Sequence, residues 1–351
     1  MSIGFFFATG VANAGQMVAI TEVPNSVQFS TSPLGLNDSG MITGSYVGSD
    51  GHQHGFVGQA NGPYTLFDAG VNANGTEPRA ISNTGWITGL GNADSIDPVN
   101  MGTMFEATPA LTIMPINKNG VQLLGIPQGF NASNVFVGGY YPGGSPASAV
   151  NGFYGFNGQW TSDLALPFPT IQVRARAINN SGTVVGLFFT ASSTGTSGFI
   201  MKNGTVTVIN YPDPTQTGTN LEGINDQGVM TGSYSDASGN SHSFLLAADM
   251  TTFTLIEPAG SVDNQAWAIN KDGEVAISSD VGPFIYCSKN GQGHCKNGKA
   301  KFASEVTVRG APRTFACLNG CRSGVVTNRG FAVRAPVQHI DLRAKPFKRP
   351  Q

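Results

Sequence analysis

The stretch Gly223-Ile224-Asn225-Asp226-Gln227-Gly228 decides how this sequence is read, because its pattern occurs five more times along the chain. A small residue, an apolar residue, a residue that is usually Asn, two polar residues and a closing Gly recur throughout. The other copies are Gly35-Leu36-Asn37-Asp38-Ser39-Gly40, Ala80-Ile81-Ser82-Asn83-Thr84-Gly85, Gly129-Phe130-Asn131-Ala132-Ser133-Asn134, Ala177-Ile178-Asn179-Asn180-Ser181-Gly182 and Ala268-Ile269-Asn270-Lys271-Asp272-Gly273. Six copies exclude coincidence and announce a repeat architecture. Each segment has the chemistry of a hairpin turn. The Asn caps the turn with its side chain, and the closing Gly takes a positive φ where a bulge begins. In the third copy Asn134 stands where the others have Gly, and Asn is the residue that next best tolerates a left-handed backbone. Asp38, Asp226 and Asp272 lack the alternating oxygen donors of a calcium loop, so they read as turn residues.

A second landmark makes the unit quantitative. Each copy carries a Phe at the start of another apolar run: Phe56, Phe105, Phe153, Phe199, Phe244 and Phe284. The distance from Phe to the next turn position is 29 residues in all five measurable cases, whereas turn to Phe varies from 11 to 20. Constant length in one half and variable length in the other describes a fixed framework with one tolerant loop, between the second and third strands. Ile116-Asn117-Lys118-Asn119-Gly120 resembles the turn but breaks this register, so it reads as part of a connection.

The unit divides into four short strands. In the fifth copy they are predicted at 220–225, 229–234, 242–247 and 252–257. Four strands in about 46 residues is the length of a propeller blade, and stacking blades buries faces that one blade cannot bury alone. The sequence therefore predicts an all-β, six-bladed β-propeller of four-stranded blades over residues 16–287. The sixth copy lacks a convincing fourth strand after Phe284-Ile285-Tyr286-Cys287. The N-terminal run from Met17 to Pro24 precedes Gly40 by the same 16 residues, counted from Pro24, as Pro212 precedes Gly228. It is predicted to pair with residues 283 to 287 and complete blade six.

The recurring run of the type Gly-x-Val-x-Gly-x-Tyr, with an apolar residue at the Val position and Tyr or Phe at its end (Gly40 to Tyr46, Gly182 to Phe188, Gly228 to Tyr234), and the His-x-Phe strand start (His54-Gly55-Phe56, His242-Ser243-Phe244) resemble the bacterial HAF-type extracellular repeat family over about residues 16 to 287. The resemblance implies an exported, propeller-like repeat domain and little about activity. The His is absent from that position in copies two, three, four and six.

Composition agrees with many tight turns and short strands: Gly is abundant (47 residues), and only 11% of residues are charged. The net charge of -2 hides an asymmetry. Before residue 288 there are six Lys and Arg against 19 Asp and Glu, and from there on 13 against two, Glu305 and Asp341. The shift marks a boundary, and residues 288–351 read as a basic, irregular C-terminal extension. Residues 1–15 resemble a signal peptide, with the apolar run Ile3 to Phe7 and the small-residue site Ala12-Asn13-Ala14 before Gly15, although a charged start is missing. Secretion is the expectation. Cys287, Cys295, Cys317 and Cys321 fit two disulfides of undetermined connectivity in an exported chain; their spacings fit no usual zinc finger.

No nucleophile elbow, H-E-x-x-H motif or phosphate-binding glycine loop occurs, and no cofactor or metal is expected. His52, His54 and His242 are the imidazoles that a metal would use, but a repeat-encoded His two residues before a Phe reads as hydrogen-bonded framework. A sharper route uses the repeat itself, since positions that vary among otherwise similar blades are those the framework does not dictate. The first strand of each blade should line the central channel. Six residues before the turn glycine the ring reads Leu34, Arg79, Gln128, Arg176, Glu222 and Trp267. Eight before, on the same side of the strand, it reads Ser32, Glu77, Ile126, Arg174, Asn220 and Gln265. Three of the body's six Lys and Arg fall in these rings.

Arg79, Arg174 and Arg176 with Glu77, Glu222 and Trp267 are therefore the candidate ligand-binding residues, suited to an anionic or sugar-like ligand. Arg-Glu pairing around the channel rim is the purely structural alternative. For catalysis, Glu222 as acid or base and Arg176 as a stabiliser of negative charge are the candidates, in a lyase or hydrolase acting on a polymer. The expected partner is an extracellular glycan, polymer or other anionic ligand, with no nucleic acid, no membrane span and a monomeric state.

Overall fold

A run of alternating apolar and polar residues bounded by Gly and Asn buries one face as a β-strand, and the chain is built almost wholly this way. The computed structural model describes residues 15–69, 75–91, 102–142, 149–288, 332–334 and 338–340. All regular structure among them is β-strand, so no helix is long and apolar enough to cross a membrane. In the fifth repeat the four strands are Gly218–Ile224, Met230–Ser235, Ser241–Leu246 and Thr252–Leu255, paired antiparallel in chain order. They match the predicted spans to within about two residues at each end.

The molecule is a β-propeller: the first strands of all six repeats line one central channel, and each sheet runs outward from it. The six predicted turn positions all have positive φ, from 55° at Asn134 to 86° at Gly85. The six landmark Phe side chains are all buried, Phe56, Phe153, Phe199 and Phe244 completely. Burying each contributes about 2–3 kcal/mol. In five repeats the Phe pairs directly with a Gly of the second strand, such as Gly186↔Phe199 and Gly232↔Phe244. A Cβ on Gly232 would lie 2.9 Å from the Phe244 ring, so the ring occupies the space that glycine leaves. The small residue that opens the turn pattern has a similar cause. A Cβ on Gly35 would lie 2.9 Å from Cα of Ala80, because neighbouring first strands approach closely there.

The N-terminal strand Gln16–Ala19 pairs antiparallel with Phe284–Cys287 in the register Gln16↔Cys287 to Ala19↔Phe284, as predicted. It lies in one four-stranded sheet with the sixth repeat.

Two departures from uniform four-stranded blades occur. Repeats two and three share a single ten-stranded sheet, because Leu124–Phe130 pairs with Gly102–Ala107 at Leu124↔Thr103 and Gly125↔Gly102. The long connection between these repeats draws them together. Its off-register turn forms a small hairpin, Asn117–Lys118 with Val121–Gln122, which also pairs with Gln159. Repeats four and five gain a fifth strand from the C-terminal extension, expected to be irregular. Gln338–Ile340 pairs with the outer strand Thr205–Ile209, and Ala332–Arg334 with Thr252–Leu255. An outer strand presents unpaired backbone groups, so even three residues of poor strand periodicity find partners there. The signal-like segment before residue 15, and Cys295, Cys317 and Cys321, lie outside the described residues.

Candidate functional site

The six first strands are Ser32–Leu36, Thr76–Ile81, Leu124–Phe130, Gln172–Ile178, Gly218–Ile224 and Asn264–Ile269. Each carries a register shift against its second strand at the same place. The residue left without a partner is Leu34, Arg79, Arg176, Glu222 or Trp267, and in the third repeat the irregularity spans Gln128 and Gly129. The ring inferred from repeat alignment is thus a ring of β-bulges. A bulge bends the strand and re-aims the extra side chain, so this position carries chemistry without disturbing the ladder. All six side chains line one cavity of about 70 Å³ on the channel axis.

Toward the turn end that cavity is bounded by an apolar collar of Leu36, Ile81, Phe130, Ile178, Ile224 and Ile269, which also lines a second cavity of about 80 Å³ among the turns. The second cavity is walled by the turn asparagines, whose role exceeds turn formation. Asn37 accepts from the backbone N–H groups of Ser39 and Met41 through Oδ1, and its Nδ2 donates to Ser82 O of the next repeat at 3.0 Å. Asn179 and Asn225 donate likewise to Asn225 O and Asn270 O, both at 3.2 Å. The sixth repeat reaches the first: Asn270 Nδ2 donates to Asn37 O at 3.4 Å and Lys271 N to Asp38 Oδ1 at 2.8 Å. Sequence reading took these residues as turn formers alone; the near-uniform Asn was the signal for a second task.

Within the bulge ring, Arg79, Gln128, Arg176 and Glu222 are only 4–7% exposed. Arg79 Nη2 pairs with Glu77 Oε1 at 2.6 Å, which puts the two predicted rings side by side. Arg176 Nε lies 3.2 Å from Glu222 Oε2, an ion pair outside hydrogen-bond geometry, and Gln265 Nε2 donates to Glu222 Oε1 at 3.3 Å. The Arg79 guanidinium sits 5.2 Å from the Trp267 ring centroid, while the Trp267 indole N–H donates to Ser278 Oγ at 2.7 Å. Arg-Glu pairing is therefore part of the site.

It does not exhaust the site. Arg79 Nε and Nη1, Arg176 Nη1 and Gln128 Nε2 are buried with no hydrogen-bond acceptor among the described residues. Burial holds the Arg176 guanidinium below its ordinary range against the pull of Glu222. Burial, then the neighbouring Arg176 charge, pushes Arg174 down to about 10. Burial raises the Glu222 carboxyl above its usual range, although Arg176, Arg79 and Gln265 oppose the shift. Ile126, predicted in the second ring, instead packs with Leu90, Tyr141 and Val150 in an apolar cluster.

The two strand-start histidines are framework, as read from the sequence. His54 presents Nδ1 to Asp68 at 3.0 Å and Nε2 to Asp50 at 3.1 Å. His242 presents Nδ1 to Glu257 at 2.5 Å and Nε2 to Asp236 at 3.3 Å. Both nitrogens of each ring are engaged, and no cluster of three metal-ligating side chains occurs among the described residues. Sequence reading missed a clip between repeats two and three. Lys118 Nζ donates to Tyr140 OH at 2.6 Å, Tyr140 donates to Asp163 Oδ1 at 2.6 Å, and the ammonium stands 4.1 Å from the Trp160 ring centroid.

No family model matches the chain, and no curated protein matches it. Among solved structures it is similar to a streptogramin B lyase, at 12% identity and a TM-score of 0.40, over 79% of this chain and 99% of that one. It is also similar to the WD40 β-propeller domain of Doa1, at 10% identity and 0.39, over 83% and 100%. A third is a PL25 ulvan lyase, a polysaccharide lyase bound to -[GlcA(1-4)Rha3S]-, at 11% identity and 0.38, over 79% and 86%. Likenesses this distant assign no activity.

Proposed function

We propose that the protein is a secreted, six-bladed β-propeller that binds an anionic extracellular ligand, a glycan or other polymer, at its central channel. The observation that carries the reading is the set of buried donors on Arg79, Gln128 and Arg176, residues lining the channel cavity, that have no acceptor among the described residues. A buried N–H without a partner costs about 1–3 kcal/mol, more when charged, and an anion supplies the missing acceptors. Closure of six blades into one ring is supported by the pairing of Gln16–Ala19 with the sixth repeat and by the Lys271 to Asp38 hydrogen bond. Export, and kinship with the HAF-type repeat family, belong to the same reading and rest on the N-terminal segment and the repeat motifs; finding the mature chain in the culture medium with its N-terminus at Gly15 tests export.

Catalysis is the second reading, favoured by the raised Glu222 carboxyl beside Arg176. Against it, Glu222 is 4% exposed and already engaged by Arg176 and Gln265. A screen of anionic and neutral glycans and polyesters, with binding and product formation both read out, separates the two. Binding of anionic ligands without turnover, lost in Arg176→Ala, is expected. Turnover lost in Glu222→Ala with binding kept would make the protein an enzyme, and indifference of both variants would remove the site.

A further inference from the structure

We propose that the basic segment 289–331 of this chain docks on an apolar patch that repeats six and one present on the face opposite the Asn turns. Strands alternate in direction within each sheet, so the links from second to third strand, and from fourth strand to the next repeat, lie at that face. Phe29 and Val262 hold equivalent places there, each 11 residues before its repeat's turn glycine, Gly40 and Gly273. They are 50% and 47% exposed, and Val27, two residues before Phe29, is 50% exposed. The turn 280–282 joins them: Val262 N donates to Asp280 Oδ1 at 3.2 Å, and a Cβ on Gly282 would lie 3.6 Å from the Phe29 ring. Phe29 has φ 62°, a left-handed backbone that bulky residues rarely adopt, so its ring is held in solvent at a cost in strain.

Repeat three shows this position covered. Its counterpart, 11 residues before Asn134, is Leu123, which is buried against Ile116 and Met104. Leu123 N donates to Ile116 O, so the long connection from repeat two supplies the cover. Repeats six and one have no such cover among the described residues.

Charge and chain path choose the occupant. Around the patch and along neighbouring repeat five, this face carries Glu22, Asp236, Glu257, Asp263 and Asp280, and its loops in repeats five, six and one carry no Lys or Arg among the described residues. Segment 289–331 holds eight Lys and Arg against one acid, Glu305, with apolar residues such as Phe302, Val306 and Val308 among them. Its flanking residues are placed. Ser288 leaves repeat six at the turn end, where its Oγ would lie 3.8 Å from a Cβ on Gly273. Ala332–Arg334 runs antiparallel to Thr252–Leu255 with Ala332 opposite Thr254, so the chain enters the edge of repeat five from the face that carries the patch. The segment therefore passes from one face to the other. Crossing the height of a seven-residue strand takes about 23 Å, and 43 residues reach up to about 140 Å, which leaves ample chain for the face it arrives at. Covalent attachment makes docking intramolecular, at an effective concentration that favours this occupant over a separate basic peptide.

Cross-linking of the full chain tests this. A carbodiimide condenses a lysine amine with a carboxylate in contact, and the linked peptides are mapped by mass spectrometry. Links from Lys296, Lys299 or Lys301 to Glu22, Asp263 or Asp280 are expected within the monomer. The double variant Phe29→Ser, Val262→Ser, its folding checked by a melting curve, should lower their yield about fivefold and speed tryptic cleavage after Arg309 and Arg313 by a similar factor. Ile171→Ser, at the equivalent exposed place across the ring in repeat four, should change neither. The link map of the native chain stands without any variant. Links confined to covalent dimers make the occupant a second copy and overturn docking within the chain. Links to Asp38, Asp226 or Asp272 alone put the segment at the turn face and overturn the proposal. So does a link yield indifferent to the double variant, or no link at all. Anion binding in the channel is read separately and stands or falls on its own screen.

Discussion

Two rings of six residues, three positions apart along the first strands, carry opposite characters. The turn ring is Asn37, Ser82, Asn131, Asn179, Asn225 and Asn270, nearly uniform, with its amides spent on the local turn and, in four repeats, on the next repeat. The bulge ring is Leu34, Arg79, Gln128, Arg176, Glu222 and Trp267, nearly all different, with buried donors that meet no acceptor among the described residues. The contrast teaches where a repeat protein keeps its function. A position that must solve the same problem six times converges on one residue, and a position exempt from the ladder is free to diverge.

The largest effect tests the frame that both rings share. Removing residues 16–24 takes away the strand paired with Phe284–Cys287 together with buried Val18, Ile20 and Val23. At about 1.5–3 kcal/mol each, these side chains amount to much of a domain's whole stability. The truncated chain should show no cooperative melting transition by circular dichroism, and an intact one refutes completion of the sixth repeat. Next comes the ion pair of the bulge ring. Glu222→Leu leaves Arg176 buried without its carboxylate and should cost about 3–5 kcal/mol in urea denaturation. A loss under 1 kcal/mol would mean that the channel is better solvated than its burial implies.

The comparison itself is broken or kept by a pair of milder variants. Asn225→Ala removes the acceptor for Val229 N and the donor to Asn270 O, and should cost about 2 kcal/mol while leaving anion binding unchanged. Gln128→Leu replaces an unsatisfied donor and should alter stability by less than about 1 kcal/mol while weakening binding. If the two variants exchange behaviours, the division between framework and function is wrong.

The smallest effect concerns the histidine brackets. Burial alone would lower His242, but hydrogen bonds and charge from Glu257 and Asp236 outweigh it and raise it above 6.5. The bracket's stability is therefore fully present below about pH 6.5 and is lost as pH rises through the raised folded value. In a half-exposed site it is worth under about 1 kcal/mol. Urea midpoints of the native chain and His242→Phe should differ most at pH 5.5 and converge above pH 8.

Much of this was legible in the sequence. Asn134 in place of Gly was readable as a left-handed turn position, and its φ is 55°. The 29-residue register marked Phe199 and Phe244 as landmarks of the framework, and both are fully buried; it also set the run from Met17 against residues 283 to 287, where Gln16–Ala19 lies. Alignment by turn position also brought Arg79, Gln128, Arg176, Glu222 and Trp267 to one cavity, although the reason, a bulge at that position, was invisible. Period-2 alternation marks a strand's two faces but not where the ladder skips a residue. For the same reason Ile126, an apolar residue on a nominally polar face, went to the wrong environment. The fusion of repeats two and three was hidden because the paired residues Leu124 and Thr103 obey no repeat rule.

The sequence by itself determined the number of repeats, the turn positions, the strand order and the variable ring, because each is encoded in a few neighbouring residues through φ preference and alternation. Only the tertiary structure decided which charges meet. Arg176 finds Glu222 from the next repeat, Arg79 finds Glu77 on its own strand, and further donors on Arg79, Gln128 and Arg176 find no acceptor among the described residues. Those outcomes depend on how closely neighbouring first strands approach and how far each bulge turns its side chain toward the axis, quantities set by the packing of whole sheets.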